Sequence, residues 1–229
     1  MKLFQTLICL FIFSRCIAQV PVSQEPRHHK VLDNGHVRLL DVHIPPGDTT
    51  QYHIHATASV FVVLTDANTG SQVISEEDRS ASPVKHYGNI WFEGFYIKPR
   101  IHRVFNSDGH AFNVMDIELT NKNYRTIDLP IQQNAFSFLF EEKPVRAYQV
   151  KLTPGEKIFL EPRRADILMI QSSDSTDLNG TKVILLNNQR AFSNHFHKKG
   201  DFAYMESGDA IEINNEGSGN AEFAFFELK

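Results

Sequence analysis

The chain has 229 residues, of which 41% are hydrophobic and 22% charged, and this is enough for one large domain or two small ones. Its net charge of −4 at pH 7 argues against nucleic acid or an anionic lipid surface as a partner. Both of its cysteines, Cys9 and Cys16, lie close to the N-terminus.

The first 18 residues have the pattern of a signal peptide. Lys2 is followed by an apolar stretch over residues 3–13 and by a small-residue site that ends at Ala18. We therefore predict cleavage after Ala18 and a secreted or periplasmic protein. A lipoprotein anchored through Cys16 is the weaker alternative, because the preceding residue is an arginine. The apolar stretch is too short for a permanent membrane-spanning helix, and no integral membrane span is predicted elsewhere.

Loss of this segment limits the chemistry of the mature chain. Both cysteines leave with it, so disulfides, thiolate metal ligands and a cysteine nucleophile are excluded. Lys2 and Arg15 leave as well, so that 21 of the 23 basic residues remain against 27 acidic ones, a net charge of about −6. We therefore predict no nucleic-acid partner.

The rest of the chain contains an internal repeat. The segment VRLLDVHIPPGD (37–48) aligns without a gap with VRAYQVKLTPGE (145–156), 108 residues further on. A second pair, NSDGHAFNVMDIEL (106–119) and NEGSGNAEFAFFEL (215–228), aligns at an offset of 109. Two separate matches at nearly one offset indicate a duplicated domain.

We place the first repeat at residues 27–140 and the second at residues 141–229, and both have the pattern of β-structure. HVRLLDVHI and AFNVMDIEL alternate apolar with polar residues, and SVFVVL is a short apolar run typical of a buried strand. Pro-Gly, Asn-Gly and Ser-Gly pairs separate these segments, and long helical periodicities are missing. The sequence therefore predicts an all-β protein with one small jelly-roll barrel in each repeat.

Two histidines precede the apolar run of the first repeat, in the segment QYHIH. Alternate residues of an extended strand share a face, so Gln51, His53 and His55 point the same way. The same alternation in RIHRVFN puts Arg100 and His102 on one face of a later strand. If both faces line the barrel interior, three imidazoles enter one cavity and can bind Zn, Fe, Mn, Cu or Ni. For any single strand histidine, a surface position is the common alternative.

These residues resemble the motifs of the cupin superfamily, and the repeat makes the chain similar to a bicupin. Gly47, His53 and His55 match the first cupin motif, G-x5-H-x-H-x(3–4)-E-x6-G. His102 and Asn106 match the end of the second motif, P-x-G-x2-H-x3-N. The resemblance covers essentially the whole mature chain. It implies two tandem cupin barrels, with a divalent transition metal held by His53, His55 and His102.

The chain departs from the first motif where the family has a glutamate ligand, because Ser59 and Val60 stand there. Three neutral imidazoles without that carboxylate leave the metal its full dication charge, which favours an anionic substrate. The three-histidine set resembles the iron centres of thiol dioxygenases. Gln51 is a candidate fourth ligand, as in cupins that have glutamine in place of the acid. Arg100, on the face of His102, is a candidate contact for a substrate carboxylate or sulfate.

In the second repeat the same offsets place Glu161, Arg163 and Ile211 at the three histidine positions. None of the three ligands recurs there. We therefore predict that the second barrel has a structural role, and a ligand held by an Arg–Glu pair is the alternative.

The other histidines are assigned no metal. His28 and His29 precede the first strand of the repeat, and we expect an exposed N-terminal arm, with closure of the barrel mouth as the alternative. His195 and His197 have the same H-x-H spacing, but a turn sequence follows them and no third ligand is evident. Asn106 is expected to fix a turn rather than to contact substrate.

Aromatic residues near the histidines have two interpretations. Tyr96, Phe61 and Trp91 could line the cavity, although core packing is the more common role of aromatics in a barrel. No acid–base pair stands beside the histidines, which disfavours isomerisation unless Glu93 or Glu118 lies close after folding. The sequence therefore assigns no catalytic acid or base.

These features predict an exported, metal-dependent cupin enzyme that acts on a small polar or anionic molecule. A dioxygenase-, isomerase- or lyase-type reaction fits this description. The alternative is a non-catalytic bicupin that binds a sugar or another small molecule, or that has a structural role; either protein could be a homodimer. The sequence does not identify the metal or the reaction, because many unrelated activities share one fold and one ligand set.

Overall fold

The computed structural model describes residues 19–75, 80–81, 84–95, 98–175, 179–187 and 190–229. The predicted signal peptide and Tyr96 lie outside these ranges. Within them lie one 3-10 helix, Val22–Gln24, and 19 β-strands. The strands are β1 (Val20–Pro21), β2 (His28–Asp33), β3 (Val37–Ile44), β4 (His53–His55), β5 (Ser59–Val63), β6 (Thr69–Val73), β7 (Ser80–Ala81), β8 (Ile90–Glu93), β9 (Arg100–Asn106), β10 (Phe112–Leu119), β11 (Phe136–Glu141), β12 (Val145–Leu152), β13 (Lys157–Leu160), β14 (Asp166–Gln171), β15 (Thr181–Asn187), β16 (Arg190–Phe196), β17 (Phe202–Met205), β18 (Ala210–Asn215) and β19 (Ala221–Leu228).

The strands form four sheets in which one arrangement occurs twice. In the first half, a sheet of order β2-β3-β10-β5-β8 forms a barrel with a sheet of order β1-β4-β9-β6-β7. In the second half, the corresponding orders are β11-β12-β19-β14-β17 and β13-β18-β15-β16. The prediction of an all-β protein with two jelly-roll barrels is thus confirmed. No helix within the described ranges is both long and apolar enough to cross a bilayer.

The strand β11 belongs to the second barrel by its hydrogen bonds. It pairs along β12, from Phe136 opposite Val150 to Glu141 opposite Arg146. The predicted division at residue 140 falls near the end of this strand. The link between the two barrels therefore lies between β10 and β11.

The central strands of both barrels are buried on both faces. One face of β3, β5 and β10 packs inside the first barrel, and the opposite face packs against β12, β14 and β19 of the second. This burial on two sides explains why SVFVVL and AEFAFFEL contain nearly continuous apolar runs. The apolar layer between the barrels includes Val37, Leu39, Val60, Val62, Met115, Ile117, Val145, Ala147, Leu168, Ile170, Ala224 and Phe226.

The two asparagines of the repeat fix the same turn in both barrels. The side-chain amide of Asn106 donates to the carbonyls of Ile44 and His110, at 3.0 and 2.8 Å. Asn215 donates to the two equivalent carbonyls at 3.1 and 2.8 Å. Each side-chain oxygen also accepts a backbone N–H from two residues further on. The structural role predicted for Asn106 agrees with these contacts.

We expect Asn106→Ala to lower the free energy of unfolding by about 1–3 kcal/mol, because buried carbonyls lose their donor. Asn215→Ala should have a similar effect in the second barrel. Urea unfolding followed by circular dichroism measures both changes. An unfolding midpoint that does not move in Asn106→Ala, together with weaker ligand binding, would contradict the structural role.

Candidate metal centre

Three histidines of the first barrel meet in its interior. β4 and β9 are antiparallel neighbours in which His53 lies opposite His102, and alternation brings His55 to the same face. The ring centroids lie 4.8 Å apart for His53 and His102, 5.0 Å for His53 and His55, and 5.1 Å for His55 and His102. All three side chains are buried, and one nitrogen of each lies within 4.8 Å of the others. The three histidines therefore converge as the sequence predicts.

The nitrogen atoms of these rings fit a metal ion. His53 Nδ1 lies 2.9 Å from the carbonyl oxygen of Gln51, and the tautomer that donates this hydrogen bond leaves Nε2 as a ligand atom. His53 Nε2, His55 Nδ1 and both ring nitrogens of His102 have no hydrogen-bond partner among the described residues. Buried polar atoms are normally partnered, and leaving one unpaired costs about 1–3 kcal/mol. A metal ion bound by the three rings would remove much of that cost.

Burial also keeps the three imidazoles neutral. It is the main cause that lowers the pKa of His53 to about 4 and the pKa of His102 to about 2, from an ordinary value of 6.5. Burial likewise lowers the pKa of His55 well below that value, and the neighbouring histidines add to the effect. Metal ligation needs an unprotonated nitrogen, so all three rings are in the ligating form at neutral pH.

The two further residues that the sequence singled out lie in different surroundings. Gln51 is exposed, and it meets the centre through its backbone, whose carbonyl accepts from His53 and whose N–H donates to Glu25 at 3.0 Å. The structure therefore does not bring the side chain of this candidate fourth ligand to the centre. Arg100 is half-buried, lines the same cavity as the histidines and donates to Ser71 Oγ at 3.2 Å. Arg100 therefore faces the cavity of the histidines, and its contact with a substrate stays a prediction.

A fourth histidine also lines the cavity. His28 is buried, with its ring centroid 4.8 Å from that of His53, whereas His29 is exposed as expected. The prediction of an exposed arm is wrong for His28 because the N-terminal segment is bound to the barrel. β1 pairs in parallel with β4, and Val22 is buried in the core. The repeat contains a signal for this, since the offset of 108 aligns His28 with Phe136, an apolar residue of an alternating strand.

Glu25 orients His28 from the side away from the cavity. Its carboxylate lies 2.7 Å from His28 Nδ1 and accepts the backbone N–H groups of Arg27 at 2.7 Å and Gln51 at 3.0 Å. Burial by itself raises the pKa of this carboxyl, but the hydrogen bonds from these groups outweigh burial and lower the pKa to about 2. The Arg27 guanidinium also makes two 2.8 Å hydrogen bonds to Asp48. Glu25 is thus a carboxylate at neutral pH and holds the proton of His28 on Nδ1.

A buried carboxyl group from another strand lies beside the centre. Asp116 of β10 is 1% exposed and lines the cavity, and its Oδ2 lies 3.7 Å from His55 Nδ1. Burial raises its pKa well above the ordinary 3.8, and the charge of Glu118 adds to the shift. The Ser59 hydroxyl opposes that shift, yet neither oxygen of Asp116 forms a well-shaped hydrogen bond among the described residues. The cupin motif has its acid near Ser59, and Asp116 lies outside that motif, on a strand 57 residues further along the chain.

The centre opens into a small cavity. Its volume of about 130 Å³ is well below the roughly 300–1,000 Å³ of typical drug-sized ligand sites, and it has room for about four waters. Phe61 and Trp91 line it as a stacked pair, with ring centroids 5.0 Å apart. The charged side chains of Lys85, Glu93 and Arg100 contribute to the lining, and the Lys85 ammonium lies 4.4 Å above the Trp91 ring. A ligand of a few heavy atoms fits this space.

The second H-x-H pair does not form a comparable centre. His195 and His197 stack with ring centroids 6.1 Å apart and line an open groove. Within the described ranges, His53, His55 and His102 are the one set of side chains arranged to hold a metal.

The second barrel has apolar residues where the first has its ligands. Ile211 lies opposite Leu160 as His102 lies opposite His53, so Leu160 and not Glu161 occupies that ligand position. The alignment of Glu161 with His53 is wrong by one residue, because the chain from Leu152 to Leu160 is one residue shorter than the chain from Ile44 to His53. Glu161 is exposed, whereas Leu160 is buried in the core.

Aromatic rings replace the remaining polar groups of the centre. The repeat offsets align Phe136 with His28 and Phe225 with Asp116. The centroids of the two phenylalanine rings lie 5.1 Å apart, and Tyr148 packs against both. The interior of the second barrel is therefore filled, which supports its structural role.

The Arg–Glu alternative for the second barrel also takes a different form. Arg163 Nε lies 2.6 Å from Glu227 Oε1, so its partner is not Glu161. Arg146 and the Tyr148 hydroxyl donate to the other oxygen of Glu227, at 2.8 and 2.9 Å. Glu227 is fully engaged by these donors, and the network is structural.

Comparison with known proteins identifies the architecture. No protein-family model and no curated protein matches the chain. Among solved structures, the oxalate decarboxylase of Lactobacillus farciminis in its formate complex has a TM-score of 0.61 at 11% identity, over 86% of this chain and 78% of that one. The oxalate decarboxylase of Bacillus subtilis, studied for its Mn(II) centres, has a TM-score of 0.60 at 9% identity, over 86% and 70%. AerE from Microcystis aeruginosa has a TM-score of 0.56 at 11% identity, over 90% and 98%. At these identities the likeness establishes the fold alone.

Proposed function

We propose that this chain, which has the bicupin fold, is a metal-dependent enzyme that acts on a small carboxylate or similar anion in its first barrel. The observation that carries this function is the convergence of three buried imidazoles, those of His53, His55 and His102, with unpartnered nitrogens. Fe, Mn, Zn, Ni and Cu all suit such ligands, and Mn(II) is the metal of the Bacillus subtilis neighbour. A bound divalent ion supplies a Lewis acid that polarises a substrate oxygen.

Charge and size both support a small anionic substrate. Three neutral imidazoles do not offset the charge of a dication, and the cavity has two cationic side chains, those of Arg100 and Lys85, beside the carboxyl groups of Glu93 and Asp116. A guanidinium such as that of Arg100 is well suited to a carboxylate, because it donates two parallel hydrogen bonds. Oxalate is the first substrate to assay, since two of the structural neighbours are oxalate decarboxylases.

The residues of this chain have separable roles in the proposed reaction. Arg100 binds and orients the anion, and the stacked rings of Phe61 and Trp91 limit the entry of water. His28, whose Nδ1 proton is held by Glu25, keeps Nε2 as the atom that exchanges a proton with the ligand. The sequence disfavoured proton-transfer chemistry for want of such a group, and His28 removes that objection.

A non-catalytic binding protein is the second candidate. It is favoured by Ser59, which stands where the cupin motif has a glutamate ligand. This function predicts metal and anion binding without turnover.

We also propose that the protein is exported, because an apolar segment and a small-residue site end at Ala18. N-terminal sequencing of the mature protein, expected to begin at Gln19, tests the export.

Metal content and anion turnover decide between these functions. Protein beginning at Gln19, purified without chelator, should contain about one divalent transition metal ion per chain. Release of carbon dioxide from oxalate, or consumption of another small carboxylate, supports the enzyme. Stoichiometric metal with anion binding and no turnover supports the binding protein, and absence of metal after incubation with Mn²⁺, Fe²⁺ and Zn²⁺ would sink both.

Arg100→Ala is expected to weaken the binding of oxalate to the metal-loaded protein by about 10- to 100-fold. This change in the dissociation constant corresponds to a total binding free energy of about 1.5–3 kcal/mol, which one or two charge-assisted hydrogen bonds supply. The matched control is Arg103→Ala on the same strand, because Arg103 donates to Gln72 and stacks over Tyr52 and does not line the cavity. Titration calorimetry measures the dissociation constants, and equal losses in the two variants would contradict a direct contact with Arg100.

A further inference from the structure

We infer that Asp116 is the carboxyl group of this metal centre, a positioning residue that holds His55 and supplies the acid missing from the first cupin motif. This role rests on the proposed metal site at His53, His55 and His102. It differs from the role of a motif glutamate, because Asp116 comes from β10 and acts through a ligand rather than as a ligand.

Asp116 has His55 as its polar partner across the barrel, and the Ser59 hydroxyl is the other polar group beside its carboxyl. Its cross-strand neighbours on β3 and β5 are Leu40 and Phe61, which are apolar. Asp116 Oδ2 lies 3.7 Å from His55 Nδ1, and neither atom has a hydrogen-bond partner among the described residues. A shift of about 0.8 Å closes this gap to a normal hydrogen bond of about 2.9 Å.

A hydrogen bond at Nδ1 would select the useful tautomer of His55. With the proton on Nδ1, the imidazole keeps its lone pair on Nε2 for the metal. Metal-ligating histidines almost always donate their other N–H to a carboxylate, a carbonyl or water, which fixes the ring and makes it a better ligand. His53 already has such a partner in the carbonyl of Gln51, at 2.9 Å. Asp116 gives His55 the equivalent partner.

The second barrel shows that the fold does not need an acid at this place. The repeat offset aligns Asp116 with Phe225, which is fully buried and packs against Phe136. A buried carboxyl without hydrogen bonds destabilises a fold, and an apolar residue of suitable shape would not. The acid is present only in the barrel that contains the three histidines, despite its cost in stability. A role in the metal centre best explains why it is there.

The two other buried acidic residues near the centre, Glu25 and Glu118, are already engaged. Glu25 accepts from His28 and from two backbone N–H groups. Glu118, two residues along β10, accepts from Arg38 at 2.8 Å. Of the buried carboxyl groups that the structure describes, Asp116 alone has both oxygens unpartnered.

The test compares Asp116→Asn and Asp116→Leu with wild-type protein by Co²⁺ titration and visible absorption. Asp116→Leu should bind Co²⁺ about 10- to 100-fold more weakly, with a changed d–d spectrum, because His55 loses the group that fixes its ring. Asp116→Asn should lose less, because its amide oxygen still accepts a hydrogen bond from His55 Nδ1. The matched control is Glu118→Gln, which removes a buried carboxylate from the same strand and should leave the cobalt affinity and spectrum unaltered.

Thermal unfolding of the metal-free proteins separates a positioning role from a structural one. Asp116→Leu should melt at the same or a higher temperature than wild type, because an unpaired buried carboxyl is removed. Wild-type cobalt affinity and spectrum in Asp116→Leu would overturn the inference, and a lower melting temperature of that variant with metal binding intact would show a structural role instead. A wild-type protein that does not bind Co²⁺ is a separate outcome, which overturns the proposed metal site itself and this role with it.

Discussion

His53→Ala and His102→Ala are each expected to weaken the binding of Mn²⁺ or Co²⁺ by at least about 100-fold. Each histidine contributes one buried nitrogen to a set of three, and the two that remain cannot surround the ion in the same way. The loss should exceed that caused by Asp116→Asn, because a ligand is removed rather than its support. Metal analysis after dialysis and titration calorimetry measure the effect.

The same variants should fold, which makes their loss of metal interpretable. The second barrel is built on the same frame with Leu160 and Ile211 at these positions. The double variant His53→Leu, His102→Ile copies that arrangement and should melt, without metal, at or above the temperature of wild type. His195→Ala, in an exposed pair without a third ligand, serves as the control. Stoichiometric metal retained in both single variants would show that the centre lies elsewhere.

Between pH 6.5 and 4 the metal-free protein is expected to lose about 3 kcal/mol or more of its free energy of unfolding. In the unfolded chain both imidazoles have the ordinary pKa of 6.5, whereas burial lowers the pKa of His53 to about 4 and that of His102 to about 2. Below pH 6.5 the unfolded chain therefore binds protons that the folded protein does not. Each unit of pKa difference corresponds to about 1.4 kcal/mol, so His53 alone accounts for about 3 kcal/mol.

Urea unfolding of chelator-treated protein, from about pH 7.5 down to pH 4, measures this dependence. The stability contributed by neutral histidines is fully present above pH 6.5 and falls as the pH approaches 4. The His53→Leu, His102→Ile variant should show a much flatter profile in this window. Glu25 acts at lower pH, because its pKa of about 2 means that its contribution is lost only between pH 4.5 and 2. Equal pH profiles for wild type and the double variant would show that the histidines are not buried and neutral.

The duplication of the barrel separates what the fold needs from what the site needs. In the second barrel Phe136, Leu160, Ile211 and Phe225 are apolar, buried and part of one core cluster. The corresponding residues of the first barrel leave buried polar atoms without partners and a cavity of about 130 Å³. The first barrel therefore lacks the stabilising apolar packing that the second barrel has at these positions. Metal binding is the function that would compensate for this loss of stability.

Local periodicity and internal repetition were enough to predict the strands, the two barrels and the faces of the histidine strands. Period-two alternation and turn pairs predicted the strands, and the two offsets predicted two barrels of one kind. Alternation also placed His53 and His55 on one strand face and Arg100 and His102 on another, because the side-chain period of a strand does not depend on its partners. The shared turn of Asn106 and Asn215 could be read in the same way.

The other groups that reach the centre depend on tertiary contacts between segments far apart in the sequence. His28 arrives because β1 pairs with β4 and Glu25 binds its ring, and neither contact has a local pattern. Asp116 arrives from β10, whose alternation shows that it faces inward but not that His55 lies opposite it across the barrel. The exposure of Gln51 likewise depends on the chain that surrounds it. Contacts between strands distant in sequence are set by the register of the whole sheet. A one-residue difference in chain length, such as that between Leu152 and Leu160, decides which side chains meet.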